Sequence, residues 1–205
     1  MKKLIVALFI LLLMANAAFA EKTDADAPEA AEALLKKSIE SVFDVLKNED
    51  LTSQEQKAEI EAIVDPVFNY ELIARLSLGR RNWSRLDPEQ REVFVERFVT
   101  RLKDSYFENI AMIQGDAKTE IDYGEREVEN GRVHVPVRAG MKDSSVDMRY
   151  KLHFSEGEGW RVYDVEINGV SIVASYRSQF NQVLSSQSVD EMLEALKTLE
   201  APEVE

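Results

Sequence analysis

Cysteine is missing from all 205 residues, and only two histidines, His134 and His153, are present. The first absence removes disulfide scaffolds, thiol nucleophiles, zinc ribbons and iron–sulfur clusters together. Basic side chains are also scarce, 25 against 38 acids, giving a formal charge of −13. Nucleic acid demands a basic footprint to displace counterions from phosphates, so this balance argues against it. Neither GxxxxGK[ST] nor GxGxxG occurs, which leaves no nucleotide loop of those kinds. Beyond residue 20 no run approaches 18 consecutive apolar residues, the length a spanning helix requires.

What is present begins with an address. Lys2 and Lys3 precede an apolar run from Leu4 to Met14, and Ala18-Phe19-Ala20 stands before Glu21. A charged region, a short apolar region and a small-x-small junction predict a cleavable signal peptide over 1–20, hence an exported protein. With no cysteine after the junction, a lipoprotein anchor is not expected. Removing Lys2 and Lys3 with the leader lowers −13 to −15. Residues 21–27 are acidic and small and read as a flexible leader; 28–200 read as a single α+β domain, and 201–205 as an acidic tail.

Helical periodicity starts at Pro28, where Leu35, Ile39, Val42, Phe43 and Leu46 recur at spacings of three and four. Ser53 and Gln56 suggest a capping box for a second helix toward Val64, interrupted by Pro66. A third helix is expected over Tyr70 to Leu78, closed by Gly79 in a left-handed cap. Asp87-Pro88-Glu89-Gln90 combines an N-cap, a first-turn proline and a capping glutamine. The helix it starts carries Phe94, Phe98, Leu102 and Tyr106 at four-residue steps and should be the longest. Two more helices are expected from Ser171 and Ser188.

After Gly115 the period falls toward two. Val133, Val135 and Val137 alternate with His134, Pro136 and Arg138; Val146, Met148, Tyr150, Leu152 and Phe154 alternate with Asp147, Arg149, Lys151 and His153. With turn signals at Asn130-Gly131, Lys142-Asp143-Ser144 and Gly157-Glu158-Gly159, this predicts a four-stranded antiparallel meander at about 118–128, 132–141, 145–155 and 160–167. Pro136 cannot donate to a ladder and should mark an edge or a bulge. The resulting fold class is α+β, a four-stranded antiparallel sheet with several helices on one face, a geometry that often encloses an apolar cavity.

Catalytic chemistry finds little support. Strand parity puts both histidines on the polar face, whereas a Ser-His-Asp site needs one in a desolvated cleft. His153 and Glu156 supply at most two metal ligands near a strand end. Carboxylates are abundant enough to leave an acid/base pair open. Asp164 sits inside the apolar strand Tyr163-Asp164-Val165, where a charge needs partners. Its simplest role is to accept hydrogen bonds from a nearby turn or from Ser171; the alternative makes Asp164 and Tyr163 acid/base groups of a periplasmic enzyme. Arg75, Arg80, Arg81 and Arg85 cluster in an otherwise acidic chain. Guanidinium forks match phosphate or carboxylate, so Arg80, Arg81 and Arg85 are candidates for partner or head-group contact, against the plainer reading of a solvated helix end.

Leu78-Gly79 with Trp83, the run Leu86-Asp87-Pro88-Glu89-Gln90-Arg91 leading to Phe94, Phe98, Leu102 and Tyr106, and then Trp160-Arg161-Val162-Tyr163-Asp164-Val165, Gly169-Val170-Ser171-Ile172-Val173, Tyr176-Arg177 and Gln179-Phe180 resemble the toluene-tolerance or MlaC family. The resemblance implies a periplasmic lipid carrier, the soluble component of an ABC transport system that maintains outer-membrane asymmetry. It implies a phospholipid held by its acyl chains, no cofactor, and two partners: an outer-membrane lipoprotein–porin complex and an inner-membrane transporter complex bearing an MCE-domain protein. Some family members are associated with hopanoid lipids instead. A monomer is expected. Candidate wall residues are Val133, Val135, Val137, Met148, Tyr150 and Leu152 from the sheet and Phe68, Leu72, Phe94, Phe98 and Tyr106 from the helices. Packed core and cavity wall demand the same periodicity, so spacing alone does not divide them.

Overall fold

Proline at the first turn, where an amide hydrogen has no helical partner, opens helix α1 at Pro28–Lys47. Its stripe of Ala31, Leu35 and Leu46 is buried. The computed structural model describes residues 25–113, 120–140 and 145–198, with 108–113 described by their helix alone. The expected signal peptide, most of the leader, Gly115, the Lys142-Asp143-Ser144 turn and the tail 201–205 lie outside the described residues.

Helix α2 spans Ser53–Val64, but its capping box is Thr52 with Glu55, one position earlier than expected. The Glu55 carboxylate accepts the Thr52 amide at 2.8 Å, a stronger acceptor than a glutamine amide oxygen. Gln56 turns inward instead and donates to the Asn48 carbonyl at 3.2 Å, closing the end of α1. Helix α3 covers Tyr70–Leu78, capped by Asn69, whose Oδ1 accepts the Leu72 amide at 2.9 Å. Gly79 has φ 78° but ψ 150°, so it is not the expected helical left-handed cap; it redirects the chain into the single turn α4, Arg80–Trp83. Helix α5, Pro88–Ile113, is started by Asp87 and Gln90, each accepting the other's amide, at 2.8 and 3.1 Å. After the sheet come α6, Ile172–Val183, and α7, Val189–Ala195, the latter with the expected Ser188/Glu191 box. A short 3-10 turn, Leu196–Thr198, follows α7.

Among the described residues the sheet has six strands rather than four: β1 Glu120–Tyr123, β2 Glu127–Glu129, β3 Arg132–Gly140, β4 Ser145–Ser155, β5 Gly159–Ile167 and β6 Val170–Ser171. All pair antiparallel in the order β1-β3-β4-β5-β6, with β2 following β1 along the same side of β3. The first expected strand is broken because of Pro136. Tyr123 pairs with Val137 and Glu127 with His134, so residues 124–126 face only Val135 and Pro136. That is a bulge, and Gly124 fills it: a Cβ there would lie 3.0 Å from the proline ring. The sixth strand arises from a second Asn-Gly turn, Asn168-Gly169 at φ 49° and 82°, matching Asn130-Gly131 at 51° and 73°.

Parity sorts the sheet into two faces. One carries Val133, Val135, Val137, Tyr150, Leu152, Val162 and Val165; the other carries His134, Arg138, Lys151, His153 and Asp164. A register shift between Lys151 and Leu152 lets Tyr163 bulge onto the polar side, where Arg132 lies 5.3 Å over its ring. Helices α1, α3 and α6 contact the sheet from the apolar side. The segment 67–69 also closes the edge of β5, where Asn69 N–H donates to the Val162 carbonyl at 2.9 Å.

Candidate functional site

Two apolar clusters fill the space between sheet and helices, and Phe68 and Val165 pack against both. The helical cluster centres on four rings. Phe94 and Phe98 stack at 5.6 Å, and Phe98 meets Tyr176 edge-on at 4.9 Å and Phe180 at 5.8 Å. The sheet cluster joins Ala31, Leu35 and Val67 to the valines of β3 and to Leu152, Trp160 and Val162.

The eleven apolar residues nominated from the sequence divide between these environments. Phe94, Phe98, Val133, Val135 and Leu152 expose nothing, and Val137 only 2 %. A side chain with no accessible surface borders no space that admits even a water, so the first five are close-packed in this structure and Val137 nearly so. Phe68, Leu72, Tyr106, Met148 and Tyr150 are half-buried and keep open apolar surface. Their elements converge: Tyr150 pairs across the sheet with Val135 and Val165, Met148 with Val137 and Ile167, while Phe68 forms a bridge to Val162.

Tyr150 is the most informative of the five. Desolvation pushes its hydroxyl up to about 12, as for a group surrounded by protein, with Tyr123 a smaller contributor. Yet its surface is partly accessible. Its hydroxyl donates to Met148 Sδ at 3.6 Å, a weak acceptor. Burial likewise raises the hydroxyl pKa of Tyr106, which packs against the helical cluster. This arrangement offers mainly apolar contact, with the Tyr150 hydroxyl turned to a thioether.

Asp164 is occupied elsewhere. Its Oδ2 accepts from Ser171 Oγ at 2.8 Å and Lys151 Nζ at 3.1 Å, and its Oδ1 from the Val173 amide in the first turn of α6. These bonds give it the structural role, as acceptor for Ser171 and anchor of α6. Tyr163 stands on the polar face beside His153, at 5.8 Å. Asp164 also lies close enough to Tyr106 to help raise its hydroxyl pKa, behind burial and Tyr176. Both histidines lie half-buried on the polar face. Among the described residues no three His, Asp or Glu side chains are placed to hold a metal, and no helix is long and apolar enough to cross a membrane.

Arg80, Arg81 and Arg85 do come together, beside the helical cluster, whose Leu78 and Leu184 line the same cleft. With Arg177 of α6 they line a cleft of about 450 Å³. Periodicity does not announce Arg177; in the sequence it stands only within the Tyr176-Arg177 part of the family resemblance. None of the cleft residues is among the half-buried apolar five.

The family model for the MlaC protein matches residues 36–198. The chain belongs to the MlaC family. The match takes in every described element from α1 onward except the first turns of that helix. Among solved structures, the chain is similar to a phospholipid-binding protein from Ralstonia solanacearum, determined in complex with a phospholipid. The TM-score is 0.71 at 21% identity, over 82% of this chain and 95% of that one. At that identity the likeness establishes a shared fold, and membership of the MlaC family rests on the family match itself.

Proposed function

We propose that this protein is a periplasmic lipid carrier, which takes up a phospholipid by its acyl chains and moves it between membrane complexes to maintain outer-membrane lipid asymmetry. The observation that carries the reading is membership of the MlaC family, with a fold shared by a phospholipid-bound protein; the half-buried apolar side chains Tyr150 and Met148, packed against the sheet cluster, supply the candidate wall. Export through the leader at 1–20 supplies the compartment. The partners are an inner-membrane transporter complex with an MCE-domain protein and an outer-membrane lipoprotein–porin complex. The protein acts as a monomer on the unit 28–200 and needs no cofactor.

The physics of the task is restrictive. Two acyl chains carry on the order of thirty methylenes, and at about 0.8 kcal/mol each their removal from water is worth roughly 25 kcal/mol. The carrier must match most of that with apolar wall, and must also release its cargo. Release then requires an acceptor as apolar as the site, presented without an intervening step in water. Phe68, Leu72, Tyr106, Met148 and Tyr150 form the wall, and the six packed residues form the rigid backing that holds it open. Any energy input belongs to the partner transporter.

Binding is tested by incubating stripped protein with vesicles containing radiolabelled phospholipid and counting label that co-elutes with protein. The wild type should retain label. Tyr150→Asp, which puts a charge into the apolar wall, should retain little; equal retention would refute the placement.

A further inference from the structure

Charge in this molecule is distributed unevenly. The chain carries −13 overall, yet no Asp or Glu lines the cleft between α4 and α6, where Arg80, Arg81, Arg85 and Arg177 converge. Among the described residues none of these four makes an ion pair, although Arg97, Arg126, Arg138 and Arg149 all do so elsewhere on the structure. Leaving four cations without acids is unfavourable to folding, since like charges repel, so their grouping calls for an external anion.

The cleft is also held in shape. Asn82, buried to all but 4 %, spends its amide group on the Leu78 carbonyl at 3.2 Å and on Asn181 Oδ1 at 2.8 Å, tying α4 to α6 across the floor. Arg177 is anchored by its Nε, which donates to the Leu76 carbonyl at 3.0 Å, and its stem lies against Gly79. A Cβ on Gly79 would stand 3.4 Å from Arg177 Cγ, at a φ of +78° that disfavours side chains in any case. The guanidinium end of Arg177 is thus set toward the cleft with its remaining donors free of described partners.

We propose that this cleft is a docking site for an acidic segment of a partner protein, whose successive carboxylates pair with the four guanidinium groups. Three properties select that occupant. The site is concave and about 450 Å³ in volume, which admits a few side chains but not a planar bilayer. The net charge of −13 repels an anionic membrane surface while leaving a local positive field that steers an acidic partner to this one face. Four forks spread over α4, the Arg85 loop and α6 outnumber what a single carboxylate or phosphate engages. The cleft shares no residue with the apolar wall, so docking there leaves the wall unobstructed.

The test uses the full exported protein and a fluorescein-labelled hexaglutamate peptide, read by anisotropy at about 10 mM and about 150 mM salt. The wild type should bind the peptide, more weakly at the higher salt. The variant R80Q/R81Q/R85Q should bind about tenfold more weakly, the effect of three exposed pairs lost together. The control K37Q/K47Q/R161Q removes the same charge elsewhere and should bind like wild type; circular dichroism verifies that both variants fold. Absence of peptide binding, or an equal loss in both variants, overturns the proposal. Binding of phosphatidylglycerol vesicles through the same arginines, with the peptide ignored, reassigns the cleft to a lipid head group and also overturns it. So does full displacement of the peptide by inorganic phosphate at matched charge, which marks a small-anion site. No lipid transfer is measured, so failure here leaves the carrier reading standing, and failure of that reading leaves this one.

Discussion

Met148 offers the cleanest distinction between wall and core. It is half-buried on the apolar face, packed against the sheet cluster, with Val137 and Ile167 opposite it on the neighbouring strands. Val137 exposes 2 % and has no room to move, so what happens to a larger side chain at 148 depends on the side away from the sheet. In a close-packed setting Met148→Trp forces neighbours off their rotamers and costs roughly 1 to 3 kcal/mol. With a urea dependence of about 2 kcal/mol per M, the unfolding midpoint would fall by about 0.5 to 1.5 M. In a wall that borders open space the indole occupies that space, and the cost stays within about 0.5 kcal/mol, a midpoint change of about 0.25 M or less. The account predicts the second result, together with reduced lipid in protein isolated from cells. Both proteins must be stripped before unfolding, because bound ligand stabilises the native state by its own mass action. A clearly lowered midpoint with unchanged lipid content would put Met148 in the core and refute the placement.

The reverse pattern is expected at Phe98, which exposes nothing inside the ring cluster: Phe98→Ala should destabilise the stripped protein by about 3 to 5 kcal/mol, measured by urea unfolding, and a cost below about 1 kcal/mol would show the cluster is not packed. Asp164→Ala should cost about 2 to 4 kcal/mol, since it strands the Val173 amide and the Ser171 hydroxyl and leaves Lys151 with Glu166 alone; a stability loss with lipid content per folded molecule unchanged fits a structural acceptor, whereas loss of an enzymatic turnover without loss of stability would not. Both histidines are held below their ordinary pKa, chiefly by desolvation, with Lys151 and Arg149 acting on His134 and Arg132 and Arg161 on His153. The unfolded chain therefore takes up protons first, so stability is full above about pH 6.5 and falls as pH drops below it; the urea midpoint should be lower at about pH 5 than at about pH 7, and the double variant H134Q/H153Q should reduce that difference.

Much of the helical frame is legible in the sequence because caps and periodicity are local. The bounds of α3, the Asp87 start of α5 and the Ser188/Glu191 box follow from residues within one turn of each other. The α2 box is harder to place, because Ser53 with Gln56 satisfies the same pattern as Thr52 with Glu55, and only the burial of Gln56 against α1 separates them. In the sheet, Pro136 announces an irregularity, but whether a bulge or an edge answers it depends on Gly124, which sits between β1 and β2. The β6 hairpin carries the same Asn-Gly signal as the turn before β3, set in a stretch where the apolar pattern dominates. Wall and core are not separable at all: Val135 and Tyr150 are cross-strand partners with one parity, and only the way the helices settle over each strand makes their exposures differ. The arginine cleft is half legible, since three of its cations are near neighbours in sequence and the fourth arrives from α6 through the fold.

Native mass spectrometry of the protein purified without detergent from its own periplasm tests the central claim most directly. The account predicts a chain beginning at Glu21 and carrying one diacyl lipid, with the lipid mass lost on organic extraction and regained on exposure to phospholipid vesicles. Protein that is repeatedly empty, and stays empty after that exposure, would contradict it.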